Sequence, residues 1–486
     1  MPITGGQMVE QNFLRAKWQA DRDRQAEAQD KLDLYMDDFE EIIKFKMAEL
    51  FHPKTVDRLL YHVNQSQNIL KRVVNEISTL YKTETARTTD PESDRYQDLM
   101  ESLNVDVSMK KINRYTNLLN ESLLKVGVRG GKLVYDIITP NICTVIQNEA
   151  DPTQADAIVY MTTRVNTVGS SEIRYHYWSK DGDYLIYDES FQIVGRIYDS
   201  YDESGLLKYP YIDLETGQYM LPFVTFHRQQ PDSNFWDQDS GRDLYNATTA
   251  TAIKMSLFDY YFKTGSFKQI YLIGDKAEMA SKQILDPLTV LKGSGEGAEI
   301  GVLDREIDME QLKNAIIFQI NSIINNYGIS ADQYSLIVSE MSGRALKIRN
   351  RGLLEIRKEQ LPIFKASEEE LFDVTRVVNN FHFPNDQIPE EASFDIDFGE
   401  LEIPEDPDED LELQTKRLRS GLISPGQFYQ HFNPDIKDVD EAEKAIADNL
   451  AKLEKMRIKY PNLDEALDFI LGPGAPEKRP VEGEGE

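Results

Sequence analysis

The chain has 486 residues, 40% of them hydrophobic, enough to fill the cores of roughly three ordinary domains, so an intrinsically disordered chain is excluded. With 84 acidic and 54 basic residues the formal net charge is −30, which repels DNA and anionic membranes wherever positive charge is not gathered locally. One cysteine, Cys143, rules out an intramolecular disulfide framework and fits a reducing compartment, with core filling as its expected role.

The start, "MPITGGQMVEQNFLRAKW", lacks the basic-then-apolar pattern of a signal peptide. The uncharged run Asn314 to Ala331 carries Gln319, Asn321, Ser322, Asn325, Asn326 and Gly328, too polar for a membrane span. The expected place of synthesis is therefore intracellular.

From Met8 to about Val126 the pattern is mostly helical. A charged amphipathic stretch, "NFLRAKWQADRDRQAEAQDKLDLYMDDFEEIIKFKMAELF", is divided by Pro53 from "TVDRLLYHVNQSQNILKRVVNEISTLY". A polar loop, "KTETARTTDPESD", precedes a third helix over about Met109 to Val126. From Gly130 to about His227 the period changes to two, with short strands in "KLVYDIIT", "CTVIQN", "AIVYMTTRV", "IRYHYWSKDGDYLIYDE" and "LPFVTFHR"; Asp181-Gly182 marks a hairpin turn.

Helical pattern returns at about Gly241, where Leu244, Ala247, Thr251, Met255, Phe258 and Phe262 form one stripe before Gly265. A small unit, Ser266 to Ile307, follows, with strands in "QIYLIG", "LTVLKG" and "EIGVLD", a helix near Lys276 to Ile284 and a loose "GSGEGAE". A second helix runs from Met309 to Tyr327. Asp308 and Gln311 suit its N-terminal cap, Leu312, Ile316, Ile320, Ile323 and Tyr327 its stripe, and Gly328 its C′ position.

After a loop over Gly328 to Ser342, six of the fifteen residues from Arg344 to Lys358 are basic and only Glu355 is acidic. At 100° per residue Arg344, Lys347, Arg351 and Lys358 fall within about a 60° sector, with Leu346, Leu353, Leu361 and Phe364 on another side. One side packs and the other is a basic face, either salt-bridged to the protein's own acids or facing a polyanion. Beyond Pro362 helix continues through "EEELFDVTRVVNNF". Asp386 to Glu412 then holds thirteen acids and no base, a solvated, partly extended stretch. Helices return in "LELQTKRLRSGL", "SPGQFYQHF" and "DVDEAEKAIADNLAKLEKMRIKY", and "GPGAPEKRPVEGEGE" reads as a disordered tail.

Catalytic patterns are missing. There is no phosphate loop, since "GSGEGAEIG" lacks the lysine and hydroxyl. The six histidines are not paired at metal-ligand spacing, one cysteine cannot build a zinc site, and no G-x-S-x-G elbow appears. The expectation is a protein that is no enzyme and takes no cofactor or metal.

The order of elements, with "LPFVTFHRQQPDSNFW", "INSIINNYGISADQYS" before "MSGRALKIRNRGLLEIRKEQL", and "GLISPGQFYQHFNPDIKDVDEAEKAI", resembles the portal proteins of tailed double-stranded DNA bacteriophages over about Lys54 to Leu453. The resemblance implies an α+β, mainly helical fold with a β-rich insertion, in a closed homo-oligomeric ring of about twelve subunits at one capsid vertex. By that likeness residues 1–240 are a wing, 241–265 and 309–327 a stem, and 266–308 a clip. Residues 328–343 are a tunnel loop, 344–400 the wing's long helix and return, 401–472 a helical crown, and 473–486 the tail.

It further implies a virion component, assembled in the bacterial cytoplasm, that passes double-stranded DNA without sequence specificity. Its partners would be the large terminase subunit, major capsid and scaffolding proteins and a head-completion or adaptor protein, with no membrane. Ile337, Val338 and Met341 of the loop and Arg344, Lys347 and Arg351 of the basic face would line the channel; Lys276 and Lys282 would lie on the clip's docking surface. A non-viral ring or scaffold binding protein partners through the acidic 386–412 stretch is the alternative, and a nucleic-acid enzyme without a legible site a further one.

Overall fold

A computed structural model describes residues 5–59, 63, 67–165, 169–196, 200–201, 207–213, 216–236, 241–265, 269–273, 299–303, 308–329, 343–401, 407–433, 436 and 438–459. For 5–10, 54–55, 58, 196, 200–201, 207, 263–265, 269–273, 299–303, 343–350, 407–409, 454 and 456–459 it describes the backbone alone. The fold is α+β.

Helices α1 (Gly5–Ala20), α2 (Arg22–Tyr35), α3 (Glu40–Leu50), α4 (Pro53–Leu59) and α5 (Ile69–Ile77) lead to β1 (Ala86–Asp90), then α6 (Asp94–Ser102) and α7 (Val105–Leu119). Strands β2 (Glu121–Arg129), β3 (Lys132–Ile138), β4 (Cys143–Gln147), β5 (Ala155–Val165), β6 (Ser171–Ser179), β7 (Tyr184–Tyr187), β8 (Ile193–Arg196), β9 (Ser200–Tyr201), β10 (Leu207–Lys208) and β11 (Phe223–His227) follow. Next come α8 (Arg242–Gly265), β12 (Gln269–Ile273), β13 (Glu299–Leu303), α9 (Met309–Asn326), α10 (Gly343–His382), β14 (Ser393–Asp397), α11 (Pro407–Arg419), α12 (Pro425–Phe432) and α13 (Val439–Lys459).

Two compact units result, residues 1–338 with 348–402 and residues 339–347 with 403–486. In the larger, an antiparallel five-stranded sheet runs β4-β5-β6-β7-β8 and a three-stranded one β11-β2-β3. The five-stranded sheet is covered on both faces, as its alternation requires. Ile158, Tyr160, Trp178 and Tyr184 join the main core with Phe223, Val224 and Phe364. Val159, Tyr175, Leu185 and Tyr187 meet Leu14 and Trp18 of α1, spaced four apart on one helix face. A helical core gathers α2 to α5 with α8, α9 and Leu353 of α10. In the smaller unit Ser424 and Gln427 form a reciprocal capping box at α12, and Gly426 lies where a Cβ would meet Val439 and Glu443.

The hairpin at Asp181-Gly182 is present: Gly182 has φ +87° and β6 pairs with β7. Cys143 is fully buried. The third N-terminal helix differs from expectation. It starts at Val105 and ends at Leu119, because Asn120 turns to φ +73°, and Glu121 to Val126 belongs to β2. That strand is buried on both faces, so it shows a continuous apolar run in place of alternation. The polar loop also conceals β1, which pairs antiparallel with β14 of the acidic stretch, Ala86 opposite Asp397, and α6 follows it. The helix near Lys276, the strand "LTVLKG" and the tail 473–486 lie outside the described residues.

Candidate functional site

Helices α8 and α9 pack side by side and bracket the β12–β13 pair, whose register joins Gln269 to Leu303 and Ile273 to Glu299. Cap chemistry fixes the return: the Asp308 carboxylate accepts the Gln311 amide at 2.9 Å, and Gly328 takes φ +65° after α9. The apolar stripes face one another and the helical core. Leu244, Thr251, Ile316, Ile323 and Tyr327 are buried, and Tyr327 Oη donates to Asp243 Oδ1 at 2.8 Å. Away from these contacts apolar side chains are left uncovered. Phe262 is 64% exposed, Phe318 75% and Ile317 42%.

Gly328 opens the segment expected to be a tunnel loop, and it is held. Its backbone meets that of Gly352 in α10, where a Cβ on Gly352 would stand 2.5 Å from the Gly328 carbonyl oxygen. Ile337, Val338 and Met341 lie outside the described residues, as do Lys276 and Lys282 of the small unit. Arg344 and Lys347 are in the first turns of α10, with backbone alone described.

Arg351 and Lys358 of the basic face are exposed, and Leu353 and Phe364 are buried on the other side, as the 100° spacing requires. Arg351 Nε donates to Glu355 Oε1 at 2.9 Å within its own helix. An exposed pair of this kind is worth about 0.3–0.5 kcal/mol, so a competing anion displaces it readily.

Not all of the basic run is a surface. Arg357 is 5% exposed, and its guanidinium donates to the Thr79 carbonyl and the Gly399 carbonyl, both at 2.6 Å, and to that of Phe398. The same helical spacing places Arg357 about 40° from Leu353, on the packing side. Charge counting missed it; the angular position was the available signal.

Further along, α10 carries a buried ionic cluster that no motif announced. Arg87 of β1 donates to Glu368 through Nε at 3.0 Å and Nη2 at 2.7 Å, and Tyr81 Oη donates to the same carboxylate at 2.7 Å. Gln360 with Asn117 at 2.7 Å, Thr375 with Tyr135 at 2.8 Å and Asn379 with Arg95 at 3.0 Å continue the polar attachment along the buried side. Negative charge at Glu368 drives the Arg87 pKa up against the opposing effect of burial, and burial drives that of Tyr81 up, so neither group titrates in the working range. The cluster fixes α10 rather than performing chemistry.

Among the described residues no group of three or more His, Cys, Asp or Glu is placed to hold a metal ion, and no helix is long and apolar enough to cross a membrane. Burial pushes the Cys143 thiol up to about 12, which makes it a poor nucleophile.

No protein-family model matches the chain, and no curated protein does. Among solved structures it is similar to a chain from the neck of an empty gene transfer agent particle, at 10% identity over 76% of this chain and 90% of that one, with a TM-score of 0.39. It is also similar to a chain from the virion of a native gene transfer agent particle, at 10% identity over 76% of this chain and 91% of that one, with a TM-score of 0.37.

Proposed function

We propose that the chain is a portal protein: one subunit of a closed ring at a capsid vertex, through which a terminase packages double-stranded DNA and through which the DNA later leaves. In this reading α8 and α9 are the stem, the β12–β13 unit the clip that docks the packaging motor and later head-completion and tail proteins, and the segment between Gly328 and Gly343 the tunnel loop. α11 to α13 form the crown. The protein catalyses nothing itself.

The observation that supports this reading best is the exposed apolar side chains on the stem pair. Ile317 and Phe318, at the middle of α9, are exposed on a helix pair that packs well elsewhere. Burying one such side chain is worth about 1.5–3 kcal/mol, and a ring repeats the contact at every subunit. The acidic remainder suits a channel through which DNA slides, because each phosphate neutralised by a base releases counterions and tightens the grip. A few positive rings beside an acidic wall confine DNA without holding it.

The test is the triple variant Arg344→Glu, Lys347→Glu, Arg351→Glu, compared with the parent for ring yield and for packaged DNA length. An intact ring with impaired packaging or retention is expected. Normal packaging in an intact ring would remove the basic face from the channel; a ring that fails to assemble would assign these charges to salt bridges between or within subunits.

A further inference from the structure

We propose that the exposed basic face of α7 docks the acidic N-terminal half of α11 from a second copy of this chain. The contact rests on the ring of the portal reading and would be one of the interfaces that close it. At 100° per residue Lys110, Arg114, Val107 and Lys111 share a sector of about 100° on α7, while Met109, Ile112 and Thr116 take the buried side. The three bases are exposed, and so is Val107 between them. None of the three makes an ion pair among the described residues; the Lys111 ammonium rests 5.3 Å from the Tyr115 ring centroid. Asp106, the one acid of α7, is taken by Arg87. The exposed acids of α6, Asp94, Asp98 and Glu101, form no bridge to these bases.

The matching surface is on α11, in the smaller unit. By the same spacing Asp408, Glu409 and Glu412 share one side of that helix, with Leu411 and Leu413 at its two edges and Asp410 and Gln414 opposite. The opposite side is engaged: Asp410 Oδ2 lies 2.7 Å from His431 Nε2 of α12, and Gln414 is buried. The acidic side is open. Leu411 is 47% exposed and Leu413 41%, and Glu412 is held by Lys416 one turn along at 3.4 Å, an exposed pair of small worth. Among the described residues from 407 to 459 the one buried apolar side chain is Ala442, so these leucines lack cover. Each copy carries a formal charge of −30, so copies attract only where opposite charge is matched locally. The two faces differ, so their contact is head-to-tail and repeats from copy to copy around a ring. Duplex DNA would match the bases of α7 but leave Val107 and the α11 leucines uncovered.

The test is charge exchange in the full-length chain, with assembly followed by light scattering and folding by circular dichroism. Lys110→Glu, Lys111→Glu, Arg114→Glu in one chain should raise the concentration for half-assembly by about tenfold or more, and so should Glu409→Lys, Glu412→Lys in another. The chain carrying all of these substitutions should recover assembly, because every contact again pairs opposite charges. A cysteine pair gives a readout independent of stability. Co-expressed Lys111→Cys and Glu412→Cys chains should be joined to each other by a short bismaleimide, and neither to itself, since Cys143 is fully buried. Four results overturn this contact and leave the portal reading standing: assembly indifferent to the reversals, no recovery in the combined chain, a cross-link that closes only within a chain carrying both cysteines, or loss of duplex DNA binding by the α7 variant with assembly intact. A parent that stays monomeric overturns both.

Discussion

Gly352 touches Gly328 backbone to backbone: a Cβ on Gly352 would lie 2.5 Å from the Gly328 carbonyl oxygen and 2.6 Å from its Cα. Two opposing effects act on Gly352→Ala. Helix propensity favours alanine by about 1 kcal/mol in an exposed helix interior. The contact opposes it, because the atoms met are backbone and cannot swing aside, and overpacking of this kind costs about 1–3 kcal/mol. The expected outcome is a lower melting temperature for Gly352→Ala, whereas a rise would show that the two backbones separate freely.

The ion pair between Arg87 and Glu368 gives a second prediction. Both side chains are nearly fully buried, so removing one partner strands the other's charge. Glu368→Leu should lower the unfolding free energy by about 3–5 kcal/mol in urea titrations. The double variant Arg87→Met, Glu368→Leu should recover much of that loss, because the buried charge leaves with its partner. Equal losses in the single and double variants would contradict this.

A third prediction concerns pH. The His176 ring is stacked on Tyr160 and bonded through its two nitrogens to Tyr184 Oη and Thr162 Oγ1, both at 3.0 Å. Burial, and then the Lys125 ammonium that lies over the Tyr160 ring, lower its pKa to about 4. Between that value and the ordinary 6.5 the unfolded chain binds the extra proton and the folded one does not. Stability therefore rises with pH across this window and is lost as pH falls from about 6.5 to about 4, by up to about 3 kcal/mol. His176→Gln should remove that part of the slope in urea titrations at pH 4.5 and 7, and an unchanged slope would refute the assignment.

What could be read in the sequence was whatever local chemistry decides. Asp308 and Gly328 are at the ends of α9, Gly182 turns the β6–β7 hairpin, and Leu353 and Phe364 are on the buried side of α10, all as spacing and cap chemistry require. What was hidden is decided at long range. β1 is a polar pentapeptide that becomes a strand by pairing with Ser393–Asp397 some 300 residues later. β2 is apolar on both faces and looked like more helix until Asn120 ended α7. The basic face was legible as a periodicity, yet the inward turn of Arg357 depends on three carbonyls supplied by other segments.

The central claim, a closed ring held in part by the exposed apolar side chains of the stem, is tested most directly by light scattering with electron microscopy of the purified full-length chain at micromolar concentration and physiological salt, alongside Phe318→Glu. The account predicts a particle of about twelve subunits with an axial hole for the parent. It predicts loss of that particle in Phe318→Glu without loss of folded structure, since Phe318 touches water in the isolated subunit. A parent that stays monomeric under these conditions, or rings formed equally well by Phe318→Glu, would contradict it.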